Sequence, residues 1–114
     1  MKRCYSLKRN KEFRYVYRAG KSESSRLMVL LFTRNNTNKL HVGITVSKKI
    51  GNSVVRNRVK RRLRESFRPM IPIVKSGYNI ILIAREPVVH EEFENIKNSV
   101  RELLRKANLL KKED

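Results

Sequence analysis

Aspartate is almost missing from this sequence: the only one is Asp114. The glutamates lie mostly on the last predicted helix or its flanks, so no paired carboxylates are evident for acid–base or two-metal chemistry. A single cysteine, Cys4, excludes an internal disulfide and fits a reducing cytoplasm. With one cysteine and only His41 and His90, no zinc-ligand spacing exists. Glycine is scarce, and Gly43 and Gly51 form neither a phosphate-binding loop nor a dinucleotide fingerprint. No apolar run approaches the ~20 residues of a membrane span. The basic stretch 1–9 has no apolar segment of the kind a secretory signal requires. These absences argue against a catalytic site made by this chain alone, against a metal site in it, and against a membrane partner.

What the chain has in excess is positive charge. Lysine and arginine number 28 against 10 acidic residues, a net charge of +18 with a pI near 10.9. Such a chain repels itself and attracts polyanions. Hydrophobic residues at 39% are enough for a globular core, and 114 residues suit one domain, 1–114.

The charge is densest in Asn52–Arg68. Val55, Val59, Leu63 and Phe67 recur every fourth residue there, which predicts a helix with one apolar stripe. The rest of its circumference carries Arg56, Arg58, Lys60, Arg61, Arg64 and Arg68, relieved by Asn57 and Glu65. Asn52 is the expected N-cap, and Pro69 and Pro72 the stop. Like charges three and four apart repel, and cations near a helix start oppose the macrodipole. A polyanion on the exposed face reverses the sign of both effects, and the free N–H groups at the helix start suit a phosphate. A solvated basic face on a packing helix is the blander reading; the cation density favours nucleic acid.

The remaining elements read in order. Asn10–Arg18 predicts a short helix ended by Gly20, with Phe13, Val16 and Tyr17 on one face. Val16 reads as core; for Phe13 and Tyr17, core and base-stacking roles are balanced. Leu27–Thr33 is an apolar run of strand length. Leu40–Ser47 alternates, with Leu40, Val42, Ile44 and Val46 on one face and His41, Gly43, Thr45 and Ser47 on the other. These two runs are expected to form an antiparallel hairpin, whose small-residue face meets either water or a docked ligand. Ser47–Gly51 brings Lys48 and Lys49 to the entrance of the basic helix. Tyr78–Arg85 predicts another buried strand, parallel to the one before the helix. A last helix, starting near His90 or Glu91, has a core stripe of Phe93, Ile96, Val100, Leu103, Leu104 and Ala107.

The stretch Ser47-Lys-Lys-Ile-Gly-Asn-Ser-Val-Val-Arg-Asn-Arg-Val-Lys-Arg61 resembles the protein subunit of bacterial ribonuclease P, which carries an Arg-Asn-Arg motif in this extended form. The order of the other elements fits the same family over essentially the whole chain. The resemblance implies an α/β (α+β) two-layer sandwich: a mixed sheet of about four strands, three helices, and a left-handed βαβ crossover. It implies one more short strand than the pattern reveals. It also implies a catalytic RNA subunit as partner, precursor tRNA as substrate, and Mg²⁺ held mainly by the RNA. By position, Arg56, Asn57 and Arg58 fall on the motif, flanked by Lys48, Lys49, Lys60, Arg61 and Arg64. Phe13 and Tyr17 fall on the aromatic positions of a cleft for the substrate's single-stranded 5′ leader, with Met28, Leu31, Gly43 and Thr45 on its strands. Leu31 stands where a relative has an aromatic ring. A ribosomal-type RNA-binding protein and a DNA-packaging protein are the alternatives the charge also allows.

Polyvalent anions are expected to bind and stabilise the free protein, because a ligand that binds only the native state shifts the folding equilibrium toward it. The thermal midpoint should rise in phosphate or citrate relative to chloride at equal ionic strength; an unchanged midpoint overturns this.

Overall fold

The computed structural model describes Leu7 and residues 10–112. Three helices, α1 (Asn10–Ala19), α2 (Ser53–Phe67) and α3 (Phe93–Lys106), accompany four strands, β1 (Lys21–Ser24), β2 (Met28–Arg34), β3 (Leu40–Thr45) and β4 (Tyr78–Ala84). The sheet order is β1-β2-β4-β3. β4 is antiparallel to β2 and parallel to β3. The parallel pair expected across the basic helix is therefore present, and β1 is the extra short strand.

The expected hairpin is not. β2 and β3 are joined by the short turn Asn35–Lys39, yet β4 lies between them. The physical reason is burial. Ile80, Ile81 and Leu82 of β4 are fully buried, the pattern of a strand covered on both faces, so the most apolar strand takes a central position. The turn is held by its own polar groups instead: Asn35 Nδ2 donates to Lys39 O at 3.0 Å, and Thr37 N donates to Asn35 Oδ1 at 3.0 Å.

Alternation divides the sheet's side chains into two sets. One face carries Met28, Leu30, Leu40, Val42, Val46, Ile80, Leu82 and Ala84, and packs on Val59, Leu63 and Phe67 of α2 and Ile96, Val100, Leu103 and Leu104 of α3. The other face buries a smaller cluster, Leu7, Val16 and Ile81, with Phe13, Leu31 and Ile83 packed against it. Among the described residues, α1 is the one helix on that second face, with Leu7 packed beside it.

Local signals set the helix ends. Asn52 Oδ1 accepts from Val55 N at 3.0 Å, the expected cap of α2. Pro69 and Pro72 lie in the 3₁₀ turn Arg68–Ile73 that follows it. The last helix begins at Phe93, later than expected, because Pro87 sits in a 3₁₀ turn that occupies Glu86–His90. Ser66, inside the apolar stripe of α2, is buried and donates its hydroxyl to Leu63 O at 2.8 Å.

Glu91 ties these parts together. Its carboxylate accepts from Arg26 Nη2 at 2.5 Å, from Asn95 Nδ2 at 2.7 Å and from Glu92 N at 3.0 Å. Its carbonyl accepts from Arg62 Nη2 of α2 at 2.7 Å. The bond from Asn95, then those from Arg26 and from the Glu92 backbone, hold the carboxyl down at about 2. A carboxyl depressed on folding favours the native state above its unfolded pKa, and that contribution fades as pH falls through its folded value. Between pH 4.5 and about 2 the wild-type thermal midpoint should therefore fall more steeply than that of Glu91→Gln, and the two should converge at the acid end. Parallel curves in a pH series of melts overturn this.

Candidate nucleic-acid interface

Two regions hold the candidate residues, and β3 leads from one into the other. Thr45 ends β3, Lys48 and Lys49 stand exposed in the 3₁₀ turn Lys48–Ile50, and α2 starts at Ser53. On α2, Asn57, Arg58, Arg61 and Arg64 are exposed, whereas Arg56 and Lys60 are half-buried. Arg56 is thus not on the open circumference the sequence assigns to it. At about 100° per residue it shares a flank with Lys60, Leu63 and Phe67, and its Nε is buried with no hydrogen-bond partner among the described residues.

The other flank of α2 is anchored. Arg58 Nη2 donates to Val89 O at 3.0 Å, and with Arg61 and Arg62 it lines a cleft against Val89, His90 and Glu91. Arg62 fixes this flank by donating to the Glu91 carbonyl. The ion pairs among the described residues join Arg26 to Glu91, Arg68 to Glu65, Lys97 to Glu94 and Arg105 to Glu102. None of them neutralises Lys48, Lys49, Arg56, Arg58, Lys60, Arg61 or Arg64. The first turn of α2 contains no acidic residue. The helix therefore presents open cations beside its own positive end, an arrangement that suits a phosphate backbone.

The second region lies between α1 and the sheet. Gly43 is buried under the Phe13 ring, and a Cβ at that position would stand 2.5 Å from Phe13 Cζ and 3.3 Å from Leu7 Cβ. Only glycine admits the ring this close to β3. Tyr17 is 48% exposed and donates its hydroxyl to Thr45 Oγ1 at 3.2 Å. Its ring therefore stands beside the sheet with a face open to solvent. Leu31 is half-buried and packs with Val16 and Ile81.

Met28 does not belong here. It is 0% exposed and packs on the opposite face of the sheet with Leu30. A continuous apolar strand carries no sign of which alternate set faces which way, and Met28 and Leu31, three apart, cannot share a face. The residue that takes its place is Val29, half-buried and in register with Ile83, which is in turn in register with Thr45. Ser22 and Ser24 of β1, opposite Leu31 and Val29, continue the surface and are exposed. The structure thus brings Phe13, Tyr17, Leu31, Gly43 and Thr45 together, adds Val29 and Ile83, and excludes Met28. The strand register, which pairing alone reveals, is the signal the sequence lacked.

Comparison with known proteins bears on both regions. The Ribonuclease P family model matches residues 1–108. A ribonuclease P protein component from Clostridium kluyveri is 46% identical over 109 residues, covering 94% of this chain and 97% of that protein. The ribonuclease P protein of Staphylococcus aureus superposes with a TM-score of 0.85 at 34% identity, covering 93% of this chain and 97% of the other. That of Thermotoga maritima superposes with a TM-score of 0.81 at 28% identity, covering 89% and 96%. With the basic helix, the aromatic helix and the glycine that receives it arranged on a matching fold, the chain belongs to the ribonuclease P protein family.

Proposed function

We propose that this chain holds two RNAs at once. As a family member it is the protein component of an endoribonuclease ribonucleoprotein and has an RNA partner. In our reading the exposed cations of α2, with Lys48 and Lys49, bind the catalytic RNA subunit of ribonuclease P. The surface between α1 and the sheet takes the single-stranded 5′ leader of precursor tRNA. The observation that carries this is the exposed Tyr17 ring, tied by its hydroxyl to Thr45 and set beside a strip of half-buried apolar and small side chains. A duplex cannot stack on such a ring, whereas an unpaired base can. The ribosomal-type alternative has no use for this strip.

The chemistry in this reading belongs to the RNA. Mg²⁺ binds hard oxygen donors, and no group of three or more His, Cys, Asp or Glu among the described residues could hold an ion. The donor set here does not fit the metal, so the ion is assigned to the RNA subunit. What this chain's residues do is neutralise phosphate repulsion along α2 and position the leader.

Reconstituted enzyme tests the reading. Tyr17→Ala and Phe13→Ala should each weaken binding of leader-bearing precursor tRNA by about 1–3 kcal/mol, the worth of a stacked base, and affect mature tRNA much less. Equal losses for both RNAs would show the rings to be packing only. Protein and Mg²⁺ without the RNA subunit should leave the precursor uncut; specific 5′ cleavage by nuclease-free protein refutes the division of labour.

Arg58→Ala and Arg61→Ala should lower affinity for the RNA subunit while the fold persists. The slope of log affinity against log salt should flatten by about 0.9 for each phosphate left without its cation. An unchanged slope would mean that α2 faces away from the RNA.

A further inference from the structure

α1 has two flanks on the sheet, and only one belongs to the surface described above. Val16, fully buried, points at the sheet. Tyr15 and Tyr17 leave the helix about 100° to either side of it. The two rings are equally open, 47% and 48% exposed. On Tyr15's flank, Lys11, Tyr15 and Arg18 align at i, i+4 and i+7 and form one wall of a second groove. Arg34 and Asn35, at the end of β2 and in the turn after it, form the opposite wall, and Asn79 of β4 lies on its floor.

The groove's polar groups are placed rather than loose. Asn79 is only 8% exposed, and its Oδ1 accepts from Asn35 Nδ2 at 3.0 Å. Its own Nδ2 donates to no described residue. The Arg34 guanidinium is not part of the groove: it is seated 5.5 Å from the centre of the Tyr78 ring, and both residues belong to the set that faces the opposite side of the sheet from Asn79. Lys11 and Arg18 enter no ion pair among the described residues. Glu12 is the one acidic residue in the lining, against those two cations on the same helix.

We propose that this groove is a second binding site for single-stranded RNA, separate from the Tyr17 strip. An unpaired base stacks on Tyr15, its edge meets the Asn79 carboxamide, and the phosphates on either side lie against Lys11 and Arg18. The combination decides the occupant. Cations alone suit any polyanion, but an open aromatic ring between them, with a buried amide donor below, suits a nucleotide. The site lies across α1 from the proposed leader contact, so it binds a different stretch of RNA.

The full-length Tyr15→Trp variant tests this, because the chain has no tryptophan of its own and the position is exposed. Its emission should be quenched saturably by a short oligouridylate. Adding Lys11→Ala or Arg18→Ala should each flatten the salt slope of that quenching by about 0.7, the single-strand value per phosphate. Adding Tyr17→Ala should leave the quenching unchanged. An abasic oligonucleotide of equal length and polyglutamate should quench weakly. No quenching, quenching of equal strength by the abasic strand or by polyglutamate, or insensitivity to both the Lys11 and the Arg18 substitution overturns the site. In the unsubstituted protein, a 4-thiouridine oligomer should crosslink to the peptide holding Tyr15, and a crosslink map without that peptide overturns it too. Loss of leader discrimination in Tyr17→Ala beside a silent Trp reporter would leave the proposed function standing and this inference refuted.

Discussion

A four-stranded sheet is wider than one helix, and the functional surfaces follow from that mismatch. Four strands spaced ~4.8 Å apart present a face roughly 19 Å across, while a helix with its side chains is about 10–12 Å in diameter. On one face two helices, α2 and α3, close the surface completely and form the main core around Phe67, Leu63 and Leu82. On the other face α1 is the one helix among the described residues, and with Leu7 its 10 residues bury Ile81 and Gly43. Among the described residues, strips of sheet on both of its flanks are only partly covered. A strip of half-buried Val29, Leu31, Ile83 and Thr45 beside an exposed tyrosine is a surface that folding leaves unfinished, and in the proposed function an unpaired nucleotide completes it.

Charge is the second constraint, and it is distributed to the same end. Four of the carboxylates enter ion pairs within the fold: Glu91 joins Arg26, in the turn before β2, to Asn95 of α3, while its backbone carbonyl holds Arg62 of α2, and Glu65, Glu94 and Glu102 pair along their own helices. Surface pairs of the latter kind contribute little to stability. Their more telling effect is where they are not. The cations from Lys48 to Arg64 enter no ion pair among the described residues, and a polyanionic partner would relieve their mutual repulsion. In the function proposed above, stability and RNA binding are coupled through this one helix.

α2 was legible in the sequence because every signal for it is local: the Asn52 cap, the four-residue apolar spacing and the prolines after Phe67. The same holds for α1 with Phe13, Val16 and Tyr17 on one side, and for the alternation of β3. Such features depend on residues within a turn or two of each other, and chain chemistry alone specifies them. Even there the burial of Arg56 was hidden, since it depends on how far the sheet wraps toward that flank of the helix.

What the sequence by itself determined, then, was the identity and polarity of each element, the excess of cations on α2 and the aromatic face of α1. Tertiary structure alone decided that β4 inserts between β2 and β3, that Met28 faces the core while Val29 faces the open strip, and that Tyr15 has a groove of its own. Those outcomes depend on pairings between residues tens of positions apart, which compete for burial over the whole molecule. A strand apolar on both sides reads the same whichever neighbour it takes, and only the fold with both of its faces covered distinguishes them.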